Sequence, residues 1–199
     1  MRNAGAKNYK SYSLKLIKLS KNKPISLEVF ADNYIGMKRQ AYEISTWGKN
    51  VYVKIPVVNS KNVFSKKVIQ ELNKKNIKLN ITAVYSFQQV KKILKIINKK
   101  TQTIISIFVG RAADSGKDPL IEMKKTLKAV KKYRNVEIIW ASVREPYNYT
   151  QAKQLGCHII TVPPTIIEKI EKFGKSFSTL TRETVLNFIK DSRKSKFKL

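Results

Sequence analysis

The sequence predicts an α/β protein of the (β/α)₈ TIM-type barrel class, incomplete, with about six parallel strands and surrounding helices. Short runs rich in Ile and Val, apolar on both faces, alternate with longer segments of helical period, as in a parallel sheet covered by crossover helices. Such alternation admits a doubly wound open sheet or a barrel. No glycine-rich phosphate loop follows any of the runs, which counts against the nucleotide-binding doubly wound folds.

Six runs have the length and composition of buried strands. They cover 25–30, 51–57, 79–84, 103–109, 136–142 and 157–162. Apolar residues at three-and-four spacing predict crossover helices between them. The three clearest stripes are Tyr34, Met37, Ala41 and Ile44; Phe87, Val90, Leu94 and Ile97; and Leu120, Met123, Leu127 and Val130. A further helix precedes the first strand and another closes the chain, with apolar positions at Tyr9, Tyr12, Leu16 and Leu19, and at Val185, Leu186 and Ile189.

The length of 199 residues suits one domain better than two, so we expect a single domain over 1–199 with a basic tail over 191–199. The hydrophobic share of 42% and the charged share of 27% exclude disordered and fibrous classes. No apolar run is long enough to cross a bilayer, and no apolar stretch follows the first residues. We therefore expect a cytoplasmic protein with no membrane partner.

Lys and Arg number 41 against 13 Asp and Glu, a net charge of +28. Only seven of the 41 are arginine, whereas nucleic-acid surfaces favour arginine and interleaved aromatic residues. We interpret the lysines mainly as solvated helix faces and disfavour nucleic acid as a partner. The positive field would also attract small phosphorylated substrates.

Polar side chains interrupt most of the predicted strands, in the later part of each strand or just beyond it. Because side chains alternate with period two, Asn80 and Thr82 share a face, as do Ser106 and Phe108. In a barrel, the carboxyl ends of the strands form the face that carries the active site. The sequence therefore predicts a site at this face. The polar residues concerned are Glu28, Lys54, Asn80, Thr82, Ser106, Ser142 and Arg144.

Lys54, between Val53 and Ile55, is the sharpest of these signals. Burial in an apolar strand lowers the pKa of a lysine, and the free amine attacks ketone carbonyls to form a Schiff base. The alternative is structural, with Lys54 extending from a strand end into solvent or pairing with Glu28. Because so many polar side chains converge on it, we favour the catalytic interpretation.

Four segments of the chain form specific motifs: GKNVYVKIPVVN, IKLNITAVYS, SIFVGRAADSGKDP and WASVREPYNYTQAKQLGCHIITVPP. Through them the chain resembles the transaldolase family, in particular its small members, which include the fructose-6-phosphate aldolases. The resemblance extends from the first residues to about Phe188. It implies a barrel that acts on sugar phosphates through a Schiff-base lysine, with no metal and no organic cofactor. It also implies a place in carbohydrate metabolism, in the pentose phosphate pathway.

The resemblance implies a role for each residue of the catalytic centre. Lys54 would form the imine with a ketose phosphate, and Glu28 and Thr82 would hold the water that relays protons. Asn80 and Ser106 would bind substrate hydroxyl groups. A relayed proton is what cleavage of the carbon–carbon bond needs.

The resemblance also implies a phosphate site formed by Arg111, Ser142 and Arg144. A guanidinium group beside a hydroxyl group is well suited to bind a phosphate. For the two arginines, a surface ion pair with Asp114 or Glu145 is the alternative.

Phe108 bears on the reaction type, because the resemblance implies tyrosine at this place in the aldolases and phenylalanine in the transaldolases. We therefore expect transfer of a dihydroxyacetone unit. The expected donors are sedoheptulose 7-phosphate and fructose 6-phosphate, and the expected acceptors are glyceraldehyde 3-phosphate and erythrose 4-phosphate. A fructose-6-phosphate aldolase-like lyase and an impaired phosphosugar-binding remnant are the alternatives.

Relatives begin with a strand that carries an acid/base aspartate, then a helix and a second strand ending in a TTNPS-like loop. Met1 corresponds to a position just after that loop, so the six strands would be the third to the eighth of the barrel. We expect free sheet edges at 25–30 and 157–162, weakened proton transfer, and a surface compatible with a homo-oligomer.

Cys157 is the single cysteine of the chain, which excludes an intrachain disulfide. Neither Cys157 nor the neighbouring His158 has metal-ligand spacing to another such residue. We expect both side chains to serve packing.

Overall fold

The computed structural model describes residues 5–195. All six strands are parallel and lie in the sheet in chain order: β1 (Ile25–Glu28), β2 (Val51–Pro56), β3 (Leu79–Val84), β4 (Thr103–Phe108), β5 (Val136–Ala141) and β6 (Ile159–Ile160). Within residues 5–195, β1 and β6 each pair with one neighbouring strand, so the sheet, a curled half-barrel, has two free edges in this part of the chain. The predicted fold class is confirmed.

Helices precede, connect and follow the strands in the described part of the chain. They are α1 (Tyr9–Leu19), α2 (Tyr34–Ser45), α3 (Lys66–Lys74), α4 (Phe87–Leu94), α5 (Val109–Asp114), α6 (Leu120–Val130), α7 (Tyr147–Gln154), α8 (Pro164–Ile170) and α9 (Phe177–Ser195). The three predicted crossover stripes correspond to α2, α4 and α6, and most of their residues are buried, although Ile97 lies three residues beyond the end of α4. Among residues 5–195, no helix is long and apolar enough to cross a membrane.

The two faces of the sheet have different surroundings. The convex face carries aliphatic residues such as Val53, Ile81 and Ile105, which pack against the helices in the main core. Trp140 is fully buried among them. The concave face carries the alternate residues of each strand, and a smaller apolar cluster there includes Ile104 and Ile139. Period-two alternation therefore sends most polar residues of the strands to the concave side. Thr103 is an exception, since it faces the helices and accepts a hydrogen bond from Nδ2 of Asn73 in α3 at 3.3 Å.

Both edge strands are shorter than predicted. β1 ends at Glu28. Alternation would turn the Ala31 N–H toward β2, but it donates instead to Oε1 of Gln40 at 2.8 Å, and the Phe30 N–H donates to the same oxygen at 2.7 Å. β6 has two residues, and the imidazole of His158 accepts the Ile138 N–H at 3.2 Å beside it.

The helices at the two ends of the chain pack less than those between the strands. In α1, Ser13 is the buried residue and Leu19 is 75% exposed, although the apolar spacing placed Leu19 in the predicted stripe. In α9, no residue in the described range is buried. α9 continues to Ser195, so 191–195 of the expected tail are helical, and 196–199 lie outside the described residues.

Candidate active site

The concave face of the half-barrel encloses a cavity of about 830 Å³, lined by residues from all six strands. Seven of the nine predicted site residues line it: Lys54, Asn80, Thr82, Ser106, Phe108, Arg111 and Ser142. Glu28 lines an adjoining cavity of about 600 Å³ that Lys54 also borders. Arg144 lines a third cavity, of about 310 Å³. The strand geometry thus brings most of the predicted residues to one concave surface.

Lys54 projects from β2 toward this surface, between β1 and β3. Its parallel register pairs it with Glu28 on one side and Asn80 on the other. The ammonium nitrogen Nζ lies 3.6 Å from Oε2 of Glu28, and the side chain of Lys54 keeps 28% of its exposure. The lysine is therefore less buried than its apolar neighbours in sequence indicated, because it points into the open cavity and not into the helix layer.

A chain of hydrogen bonds crosses the cavity wall beside Lys54. The Ser106 hydroxyl donates to Oδ1 of Asn80 at 2.7 Å, and Nδ2 of Asn80 donates to the Ser26 hydroxyl at 2.9 Å. Ser26 and Asn80 lie on strands that are separated by β2, so this contact requires a strongly curled sheet. These two bonds fix the orientation of the Asn80 amide. The side chains of Ser26, Asn80 and Ser106 together form a polar part of the cavity wall.

Thr82 is buried, and within the described residues its hydroxyl Oγ1 has no hydrogen-bond partner. The next residue, Ala83, has a left-handed φ of 58°, and the β3–β4 register shifts between Ile81 and Val84. This bulge turns Val84 toward the helices while Thr82 stays on the cavity side. A buried hydroxyl without a protein partner is available to a water molecule or a ligand.

The cationic part of the cavity is formed by Arg111, in the segment that comes directly after β4 in the chain. The Arg111 guanidinium lies over the Phe108 ring, 5.5 Å from its centroid, and Tyr85 packs on the same ring at 5.8 Å. Ser142 follows β5 with a left-handed φ of 67°. A side chain at Gly110 would bring its Cβ within 1.7 Å of the Ser142 carbonyl oxygen. Glycine at 110 therefore lets the segment of Arg111 approach that of Ser142.

Arg144 has a different environment from Arg111. Its Nε and one terminal nitrogen both lie 2.7 Å from Oδ2 of Asp114, and this carboxylate raises the pKa of the guanidinium. The ion pair with Asp114, which the sequence left open as the alternative, is thus the arrangement observed for Arg144. Arg111 and Ser142 share the cavity of Lys54, whereas Arg144 lines a separate cavity with Asp114.

The cavity also contains polar residues that the sequence analysis missed, among them Ser26 and Glu137. Ser26 lies at the start of β1, where a serine gives no signal beyond its period-two relation to Glu28. Glu137 lines the cavity from the amino-terminal part of β5. Burial raises the pKa of Tyr52, and the negative charge of Glu137 adds to the effect. No group of acidic, histidine or cysteine residues suited to a metal ion occurs within residues 5–195.

Comparison with known proteins defines the class. The sequence model of the family described as transaldolase/fructose-6-phosphate aldolase matches residues 8–199. The chain is 33% identical over 177 residues to a protein named probable transaldolase from Thermoanaerobacter sp. strain X514, covering 88% of this chain and 76% of that protein. It is 33% identical over 164 residues to a probable transaldolase from Methanococcus maripaludis strain C6, covering 82% and 72%. The chain belongs to the transaldolase/fructose-6-phosphate aldolase family.

Proposed function

We propose that this chain is a cytoplasmic transaldolase-type enzyme that moves a dihydroxyacetone unit between sugar phosphates through an imine on Lys54. The observation that carries the proposal is the position of the Lys54 amine, which borders the concave cavity beside Glu28. Arg111 and Ser142 line the same cavity. A primary amine and an anion site in one cavity match a substrate with a ketone at one end and a phosphate at the other.

The first half of the reaction uses the amine as a nucleophile. Lys54 adds to the C2 carbonyl of fructose 6-phosphate or sedoheptulose 7-phosphate, and loss of water leaves a protonated imine. A base then takes the proton of the C4 hydroxyl as the C3–C4 bond breaks. The electron pair of that bond moves into the imine, an aldose phosphate leaves, and an enamine of dihydroxyacetone remains on Lys54.

The second half reverses these steps with a new aldehyde. The enamine carbon attacks the carbonyl carbon of erythrose 4-phosphate or glyceraldehyde 3-phosphate, whose oxygen takes up a proton. Water then hydrolyses the imine, which frees the new ketose phosphate and restores the amine. We assign the proton relay to Glu28 and Thr82 through a bound water, since the Thr82 hydroxyl has no protein partner in the described part of the chain.

The remaining cavity residues would orient the substrate. Asn80 and Ser106, already held by their mutual hydrogen bond, would bind the hydroxyl groups near the imine. Arg111 and Ser142 would bind the distal phosphate. Phe108 contributes an apolar ring, without a hydroxyl to protonate the enamine, and this favours transfer to a second sugar over release of dihydroxyacetone.

A product assay tests this function. Fructose 6-phosphate and erythrose 4-phosphate are incubated with the protein, and sedoheptulose 7-phosphate is measured beside free dihydroxyacetone. We expect the heptulose phosphate as the main product, its loss in Lys54→Met, and its retention in Lys92→Met, which removes an exposed lysine of α4. Dihydroxyacetone without the heptulose phosphate would indicate a lyase, and neither product would contradict the proposal.

A further inference from the structure

The free edge of β1 presents the backbone of Glu28. Parallel strands bond to a neighbour through alternate residues, and here the N–H groups of Ile25 and Val29 donate to Asn50 and Lys54 at 3.1 and 3.2 Å. The N–H and C=O groups of Glu28 therefore point away from β2. At a bare sheet edge both groups would be left to solvent, and the strand end would fray.

Tyr9, the first residue of α1, satisfies both of these groups. Its hydroxyl oxygen accepts a hydrogen bond from the Glu28 N–H at 2.8 Å and donates to the Glu28 C=O at 3.0 Å. Packing holds the ring in place, edge to face with Phe30 at 4.6 Å and at 5.7 Å from Trp47. A tyrosine hydroxyl is protonated at neutral pH, and burial raises the pKa of the Tyr9 phenol further.

The backbone of Glu28 determines where its carboxylate lies. That side chain is about half exposed, and in the described part of the chain its carboxylate pairs with Lys54 alone, at 3.6 Å. No other side chain in this part of the structure fixes the carboxylate. Its distance from the amine therefore depends on the end of a four-residue edge strand, which Tyr9 secures.

We propose that Tyr9 is a positioning residue for the Lys54–Glu28 pair, its hydroxyl bonding both backbone groups that Glu28 turns away from β2. This inference rests on the proposed function, in which Lys54 and Glu28 form the imine centre. Tyr9 acts through the backbone of Glu28 and takes no part in the chemistry. Without its hydroxyl, the carboxylate would leave the amine more often and proton transfer at the imine would slow.

The experiment compares Tyr9→Phe with Tyr12→Phe. The first keeps the ring and its aromatic contacts but removes the hydroxyl. The second removes a hydroxyl on the same helix that makes no hydrogen bond within residues 5–195.

The rate of borohydride trapping is measured against fructose 6-phosphate concentration. For Tyr9→Phe we expect the maximal rate to fall about tenfold, with the half-saturating concentration unchanged because Arg111 and Ser142 are untouched. Tyr12→Phe should match the wild type.

Amide hydrogen exchange supplies a measurement that needs no substrate. The Glu28 N–H should exchange faster in Tyr9→Phe than in the wild type, whereas the Val53 N–H, which β2 donates to the Lys78 carbonyl beside β3, should be unchanged. Faster exchange at both amides would mean general loosening and would overturn the proposal.

The outcomes separate the two claims. Two results would overturn the role of Tyr9 while the imine chemistry stood. One is a wild-type trapping rate in Tyr9→Phe, and the other is a loss that appears as a higher half-saturating concentration of fructose 6-phosphate and not as a lower maximal rate. A wild-type protein that forms no adduct would overturn the proposed function and, with it, the role of Tyr9 at that centre.

Discussion

Arg144 and Asp114 form a two-pronged ion pair, with both contacting nitrogens 2.7 Å from the same carboxylate oxygen. Asp114 ends α5, the short helix that also carries Arg111. One arginine of the expected phosphate site is therefore neutralised by an acid, and Arg111 lines the cavity with no carboxylate partner in the described part of the chain. The two arginines should contribute unequally to phosphate binding.

We expect Arg111→Ala to raise the half-saturating concentration of fructose 6-phosphate in borohydride trapping by about tenfold or more, since it removes a charged hydrogen bond to phosphate. Arg144→Ala should raise it less, because that guanidinium is already paired. Arg134→Ala, a change of an exposed arginine outside the cavity, is the control. Equal effects of Arg111→Ala and Arg144→Ala would show that phosphate displaces Asp114.

Thr82→Val should lower the trapping rate without lowering the stability of the fold. Valine keeps the shape of the side chain, and the hydroxyl that it removes has no protein partner within residues 5–195. We expect an unchanged or slightly higher melting temperature, together with a trapping rate lowered about 10²-fold if Thr82 holds the relay water. Normal trapping by Thr82→Val would remove Thr82 from the site.

Gly110→Ala should be strongly destabilising, because its Cβ would overlap the Ser142 carbonyl oxygen at 1.7 Å. Overpacking of this kind costs about 1–3 kcal/mol of the free energy of unfolding, or more, where backbone must move. Gly116→Ala is the matched control, since nothing lies within 4 Å of its Cβ and it bears only the strain of a φ of +76°. Urea unfolding of both variants measures the difference, and equal losses would contradict the close approach.

Cys157 should react slowly with iodoacetamide in the folded protein. Burial raises the pKa of its thiol, so at pH 8 the reactive thiolate is scarcer than in the unfolded chain. The alkylation rate should rise with pH beyond the ordinary thiol range and increase sharply in urea. Equal rates in folded and unfolded protein would contradict the packing of Cys157 beneath β5 and β6.

Much of the fold followed from local pattern. A strand that is buried on both faces must be apolar along its length, and a helix that covers a sheet must be apolar along one stripe. Both patterns are visible in the sequence, so the positions of all six strands could be predicted. The length of β6 could not, because the His158 imidazole and the Ile138 N–H meet only in three dimensions. The exposure of Leu19 was missed for the same reason, since spacing does not reveal whether a helix end has a partner.

The site could be predicted for those residues whose position follows from the alternation of side chains along a strand. Lys54, Asn80 and Thr82 reach the cavity because alternation sends them to the concave face. For Arg144, an ion pair with Asp114 was predicted as the alternative to phosphate binding, but the sequence could not decide between them because Asp114 lies closer in sequence to Arg111 than to Arg144. Tyr9 gave no signal, because its link to Glu28 spans 19 residues and joins a helix to a backbone edge.

The central claim is that Lys54 forms an imine with a ketose phosphate. The most direct measurement is to reduce the protein with borohydride in the presence of fructose 6-phosphate, digest it, and locate the adduct by mass spectrometry. We predict a reduced three-carbon adduct on the peptide that contains Lys54, absent without substrate and absent in Lys54→Met. An adduct spread over the surface lysines, or none on Lys54 in the wild type, would contradict the account.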